Sequence, residues 1–238
     1  MQPYENVMQK EKHKEKHFMA TEFVRDIVIG MADGLTVPFA LAAGLSGSVS
    51  NTSLVVIAGV AEIAAGSIAM GLGGYLAVLT DREHFFNELE RERREVIDLP
   101  EREREEVASI LREWNIPEPT IASAVDAISK DSDRWVNFMM KYELGLEEPE
   151  PKRARNSSLT IGLSYIIGGI IPLSPYIFIQ KPESALTISV VVTLIALFIF
   201  GYVKGKFTGS KPLKGAWQTT MVGGLAAGIA FLIAKLIS

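Results

Sequence analysis

Five stretches of this chain are apolar over lengths that match a lipid bilayer, which leaves few ways for it to fold. About 20 apolar residues cross a hydrocarbon core about 30 Å thick, and the runs cover 27–46, 54–79, 158–179, 185–203 and 213–237. The last three contain no acidic residue, and Lys235 lies near enough to an end to snorkel to the interface. The first two hold one carboxylate each, Asp33 and Glu62, among many glycines, and their length and flanks still favour spanning. The expected fold class is therefore all-α: a polytopic membrane protein with five transmembrane helices, plus a small cytosolic helical domain inserted between spans two and three.

Charge is segregated along the chain. Between Asp81 and Glu150 there are 20 acidic and 10 basic residues, net −10, while the rest has 8 acidic and 14 basic, net +6. An acidic module is tethered to a basic membrane body. The expected division is 1–25 as an N-terminal tail, 26–79 as spans one and two, 80–156 as the acidic domain and 157–238 as spans three to five. Cytosolic loops are enriched in Lys and Arg, and the loops here alternate. Lys10, Lys12, Lys14, Lys16 and Arg25 precede span one, whereas GSVSNTS after it is uncharged. Lys152, Arg153 and Arg155 precede span three, IQKPES carries only Lys181, and Lys204, Lys206, Lys211 and Lys214 lie between spans four and five. That pattern puts the tail and the 80–156 domain in the cytosol and the C-terminus on the lumenal side. No apolar leader with a small-residue cleavage site is visible at the start, so insertion is expected to rely on the first span.

Within the acidic stretch, nothing breaks the second span before Pro100, so one long helix is expected to run on to that point. Pro100 suits the start of a helix over 100–114, Pro117 and Pro119 open another over about 119–130 with Ile121, Val125 and Ile128 on one face, and a fourth over about 132–143 carries Trp135, Phe138 and Met139.

A charged carboxylate at the centre of a spanning helix costs about 2.5–3.5 kcal/mol on insertion scales, so it normally faces a partner, a cavity or a transported ion. Asp33 is followed by Gly34, Thr36 and Pro38, and proline is expected to loosen the helix there and free carbonyl oxygens beside the acid. Glu62, Gly66, Ala69, Met70 and Gly73 recur at helical spacing, a small-residue face bearing a carboxylate and a thioether. No lysine or arginine lies within these two spans to neutralise the acids, which favours a cation. Protonated acids buried in a helix interface remain the alternative, and the Gly30–Gly34 spacing fits contacts within the fold or across a dimer equally well.

The other concentration of carboxylates is in ELERERREVIDLPEREREEV. Glu88, Glu92 and Glu95 share one helical face, and Glu103 and Glu106 share a face of the next helix. If those helices pack antiparallel the acids converge, and Glu143 with Met139 and Met140 is placed to close the site. Oxygen ligands with added thioethers suit divalent transition ions such as Fe²⁺. Equally, Arg91, Arg93, Arg94, Arg102 and Arg104 are spaced to pair with the glutamates on a solvated helix. There is no cysteine, which excludes thiolate ligands and disulfides. Di-iron bundles use Glu-x-x-His, and with His84 a turn outside the cluster a redox enzyme is disfavoured. His13 and His17, four apart, fit a weak metal site or a solvated tail. No GK[ST] phosphate loop is present, so energy is expected from a gradient and not from ATP.

The stretches DGLTVPFALAAGLSG (33–47) and AEIAAGSIAMGLGGYLA (61–77), with the five-span plan and its acidic insert, resemble the vacuolar iron transporter family, in particular plant members that carry the cytosolic domain. The resemblance covers nearly the whole chain. It implies a homodimeric antiporter, not an enzyme, that loads Fe²⁺ into the vacuole in exchange for H⁺, with Zn²⁺, Co²⁺ or Mn²⁺ as possible further cargo and no prosthetic group. It also implies that Asp33, Glu62 and Met70 line the membrane path. By the same resemblance Glu92, Glu95, Glu103, Glu106, Met139, Met140 and Glu143 bind metal in the cytosolic domain. The partners expected are the bilayer, divalent metal ions and a second copy of the chain, and no nucleic acid. Without transport, the same features would make a membrane-anchored metal-binding or sensing protein.

Overall fold

The structure, a computed structural model, describes residues 3–209 and 211–237, with side chains described for 22–209 and 211–236. Eight helices and no strand are found among the described residues. They are α1 (Pro3–Ser46), α2 (Thr52–Asp98), α3 (Pro100–Glu113), α4 (Glu118–Ser129), α5 (Ser132–Tyr142), α6 (Arg153–Phe178), α7 (Pro182–Phe207) and α8 (Pro212–Ile237). Five of them, α1, α2, α6, α7 and α8, are long and apolar enough to cross a membrane. The side chains of His13 and His17 lie outside those described.

The helix boundaries follow local chemistry. Proline opens α3, α7 and α8, where the missing N–H would have had no helical acceptor in any case. The Asp131 carboxylate accepts the Arg134 backbone N–H at 2.8 Å and caps α5. Asn115 adopts a left-handed φ of 58° just after α3 and turns the chain toward α4.

Chain contacts divide the protein into two compact units, Met1–Tyr75 with Arg155–Ser238, and Leu76–Ala154. The first holds the spanning helices. Its interior includes Ala42, Val55, Ile63, Leu173, Tyr176 and Ala185 in one apolar cluster and Phe39, Ala43 and Ala227 in another. Helix α6 lies very close to α1: a Cβ on Gly30 would run into the Ile161 carbonyl, and one on Gly34 into the Tyr165 backbone. The Gly30–Gly34 pair thus serves a contact within the chain. In the other unit, Phe85 and Val96 of α2, Val107 and Leu111 of α3, Ile121 and Val125 of α4, and Trp135, Val136, Met139 and Met140 of α5 form a single apolar core.

Helix α1 continues through Pro38, and the proline leaves the Gly34 carbonyl, next to Asp33, without its helical donor. Buried neighbours on both sides, Leu35, Phe39 and Ala42, hold the helical path. The Thr36 hydroxyl donates to the Ala32 carbonyl at 2.9 Å, tying the preceding turn together.

Candidate functional site

The acidic unit turns its helices so that five carboxylates approach one another. Helix α2 contributes Glu92 and Glu95, α3 contributes Glu103 and Glu106, and Glu143 follows the last turn of α5, where its N–H donates to the Met139 carbonyl. Two groups form around Glu103. In each of Glu92–Glu95–Glu103 and Glu103–Glu106–Glu143, one carboxylate oxygen per residue lies within 4.8 Å of the others. Glu92 is 1% exposed and Glu103 0%. Neither Glu103 oxygen has a hydrogen-bond partner, nor has the second oxygen of Glu92.

Such burial is costly for charged groups without partners. Burial, and after it the charges of Glu106, Glu92, Glu95 and Glu143, push the Glu103 carboxyl up to about 7. Partial burial, then Glu106 and Glu92, lift Glu143 to about 7 as well, with Arg91 pulling the other way. Glu143 stands at the exposed rim, where water screens such effects, so the buried Glu103 is the centre of the cluster's electrostatics.

The arginines do pair, but at the edge of the cluster. Arg91 reaches Glu88 at 2.8 Å, Glu92 at 3.4 Å and Glu95 at 3.7 Å, and Arg102 reaches Glu106 at 3.0 Å. Arg94 instead donates to the Glu90 carbonyl, and Arg104 pairs with Asp126. Convergence and pairing, alternatives at the level of sequence, are both present, and the pairing leaves Glu103 bare. Met139 and Met140 are buried in the apolar core one turn before Glu143.

In the membrane unit, Asp33 on α1 and Glu62 and Met70 on α2 are each half-buried. The Tyr165 hydroxyl on α6 donates to Glu62 Oε1, while Glu62 Oε2 is buried without a hydrogen-bond partner. Tyr165 also meets the Asp33 segment, because Gly34 packs on its backbone. Nothing in the sequence analysis pointed to this tyrosine. Its signal was a lone phenol in the apolar run SYIIGGIIP, which carries no charge to attract notice.

Comparison with known proteins places this chain. The model of the VIT family matches residues 24–235. The chain belongs to the VIT family. Among VIT-family relatives, vacuolar iron transporter 1 of Arabidopsis thaliana is 53% identical over 225 residues, 94% of this chain and 90% of its own length. Vacuolar iron transporter 1 of Tulipa gesneriana is 50% identical over 233 residues, covering 98% of this chain and 94% of its own. A more distant relative, the vacuolar iron transporter cccA of Arthroderma benhamiae, is 34% identical over 223 residues, 90% of this chain and 80% of its own. The VIT-family match takes in both the Asp33–Glu62 region and the carboxylate cluster.

Proposed function

We propose that this protein is a secondary transporter, not an enzyme, that moves Fe²⁺ from the cytosol into the vacuole in exchange for H⁺. The cargo and the compartment come from what its relatives are named for. The observation that carries the metal chemistry is Glu103, a carboxylate with both oxygens buried and unpartnered between two groups of acids. A divalent cation supplies what that arrangement lacks. Glu92, Glu95, Glu103, Glu106 and Glu143 take the ion on the cytosolic side, with the Met139 and Met140 thioethers favouring transition metals over Ca²⁺ and Mg²⁺. Zn²⁺, Co²⁺ and Mn²⁺ fit the same donor set. Asp33, Glu62 and Met70 carry the ion through the membrane, and two copies of the chain act together as a homodimer in the vacuolar membrane.

Proton exchange follows from ligand chemistry. A carboxylate must be deprotonated to hold a metal, so an acidic lumen releases the ion and a near-neutral cytosol loads it. The loop charges support an orientation with the acidic unit and N-terminus in the cytosol.

The test is Fe²⁺ uptake by acid-inside proteoliposomes. Wild-type protein should take up Fe²⁺ and Asp33→Ala should abolish uptake. Uptake by that variant at the original rate would sink the role of Asp33. Metal binding by wild-type protein with no flux at all would instead favour the membrane-anchored binding or sensing protein, a reading supported by the acidic unit's having its own apolar core.

A further inference from the structure

Tyr165 is 2% exposed and sits where three helices meet. Two glycines admit it. A Cβ on Gly66, one turn beyond Glu62, would collide with the Tyr165 hydroxyl and lie 2.6 Å from its Cζ, and a Cβ on Gly34 would lie 2.8 Å from its Cα. Real Cβ contacts are not this short, so both positions require glycine for as long as the tyrosine occupies this place. The ring thus delivers its hydroxyl to Glu62 Oε1, and the other oxygen, Oε2, is buried with no partner.

We propose that Tyr165 is the positioning residue of the membrane path: its phenol ties down one oxygen of Glu62 and fixes the side chain so that the other oxygen is the single ligand atom Glu62 presents to the cation. This rests on the transport reading for its consequence, though not for its geometry. A free glutamate samples several rotamers and offers either or both oxygens to an ion. A glutamate held by a hydrogen bond to one oxygen offers one atom in one direction, and ordering it in advance lowers the cost of binding. Gly34, the residue after Asp33, packs on the Tyr165 backbone, so Tyr165 touches the α1 segment that carries Asp33 while hydrogen-bonding Glu62.

Tyr165→Phe keeps the ring and its packing and removes only the hydroxyl. A hydrogen bond to a charged group contributes enough that its loss should raise the KM for Fe²⁺ about tenfold or more in acid-inside proteoliposomes. The maximal rate should fall less. A tyrosine that only packed helices together would leave the KM in place in a variant that keeps the ring. In the background of Glu62→Gln, adding Tyr165→Phe should have no further effect on flux. An unchanged KM for Tyr165→Phe would overturn the proposal.

Infrared spectroscopy of the purified full-length protein separates this proposal from the transport reading. The Glu62 carboxylate band, assigned by its loss in Glu62→Gln, should shift in Tyr165→Phe, and a band that stays in place refutes the tie. That holds even if wild-type vesicles show no flux, the outcome that would defeat transport alone. Should Tyr165→Phe fail to fold, the tyrosine C–O stretch that changes between wild type and Glu62→Gln decides the matter, and no change overturns the proposal.

Discussion

Glu103 is wholly buried, unpartnered and surrounded by like charges. Its folded-state pKa of about 7 stands above the ordinary 4.5, so the native protein holds this proton in a pH range where the unfolded chain has lost it. Stability from this group is therefore greatest in acid and falls as pH rises from 4.5 to about 7. In metal-free protein, thermal unfolding of the acidic unit should occur at a higher temperature near pH 5 than near pH 7.5 as far as Glu103 governs it. Metal reverses the order: Co²⁺, a stable stand-in for Fe²⁺, should raise the midpoint near pH 7.5 and do little near pH 5, where protons hold the ligands. Glu103→Gln separates the two effects. It should raise the metal-free midpoint at neutral pH, because a buried charge is gone, and weaken Co²⁺ binding by about tenfold or more, measured by calorimetry. A variant that loses stability and keeps its affinity would remove Glu103 from the cluster's centre. The acids themselves were legible in the sequence, since spacings of three and four residues put them on shared faces. The exposure of each was not, because burial of Glu92 and Glu103 depends on how α2, α3 and α5 meet.

Helices were the most legible elements, and their contacts the least. Prolines at 100, 182 and 212 open helices in the structure, and the long apolar runs each lie in one of the five long helices. What remained hidden is contact between elements distant in sequence. The Gly30–Gly34 spacing fitted an interface within the chain or with another copy, and the structure puts α6 against it. Pro38 stays within one continuous helix whose neighbours Leu35, Phe39 and Ala42 are buried, a packing that only the fold shows. The glycine contacts make a graded expectation. Gly66→Ala should drive Tyr165 from its place, lowering the yield of monodisperse protein in detergent and reducing flux at least as much as Tyr165→Phe. Gly73→Ala is the control, because a Cβ there meets nothing within 4 Å in the chain and alanine favours the helix by roughly 1 kcal/mol. Its yield should equal or exceed wild type. Size-exclusion profiles of the two variants measure this directly, and equal profiles would mean that α6 does not lie against α2 at Gly66.

Direction across the membrane belongs to the molecule as a whole, and it follows from charge placement. Each positive loop residue held on the cytosolic side favours one topology, and here the bias repeats in the same sense at every connection. A chain without cysteine is well suited to testing it. Single cysteines at Ser50, in the first connection, at Ser123 in the acidic unit, and at Gln180, between α6 and α7, all fall at exposed positions. On intact vacuoles a membrane-impermeant maleimide should label Ser123→Cys at once. It should reach Ser50→Cys and Gln180→Cys only after the membrane is permeabilised. The reverse pattern would put the carboxylate cluster in the lumen, where acid keeps Glu103 protonated and empty. Transport toward the vacuole would then lack its loading site, and the same protein would have to be read as an exporter.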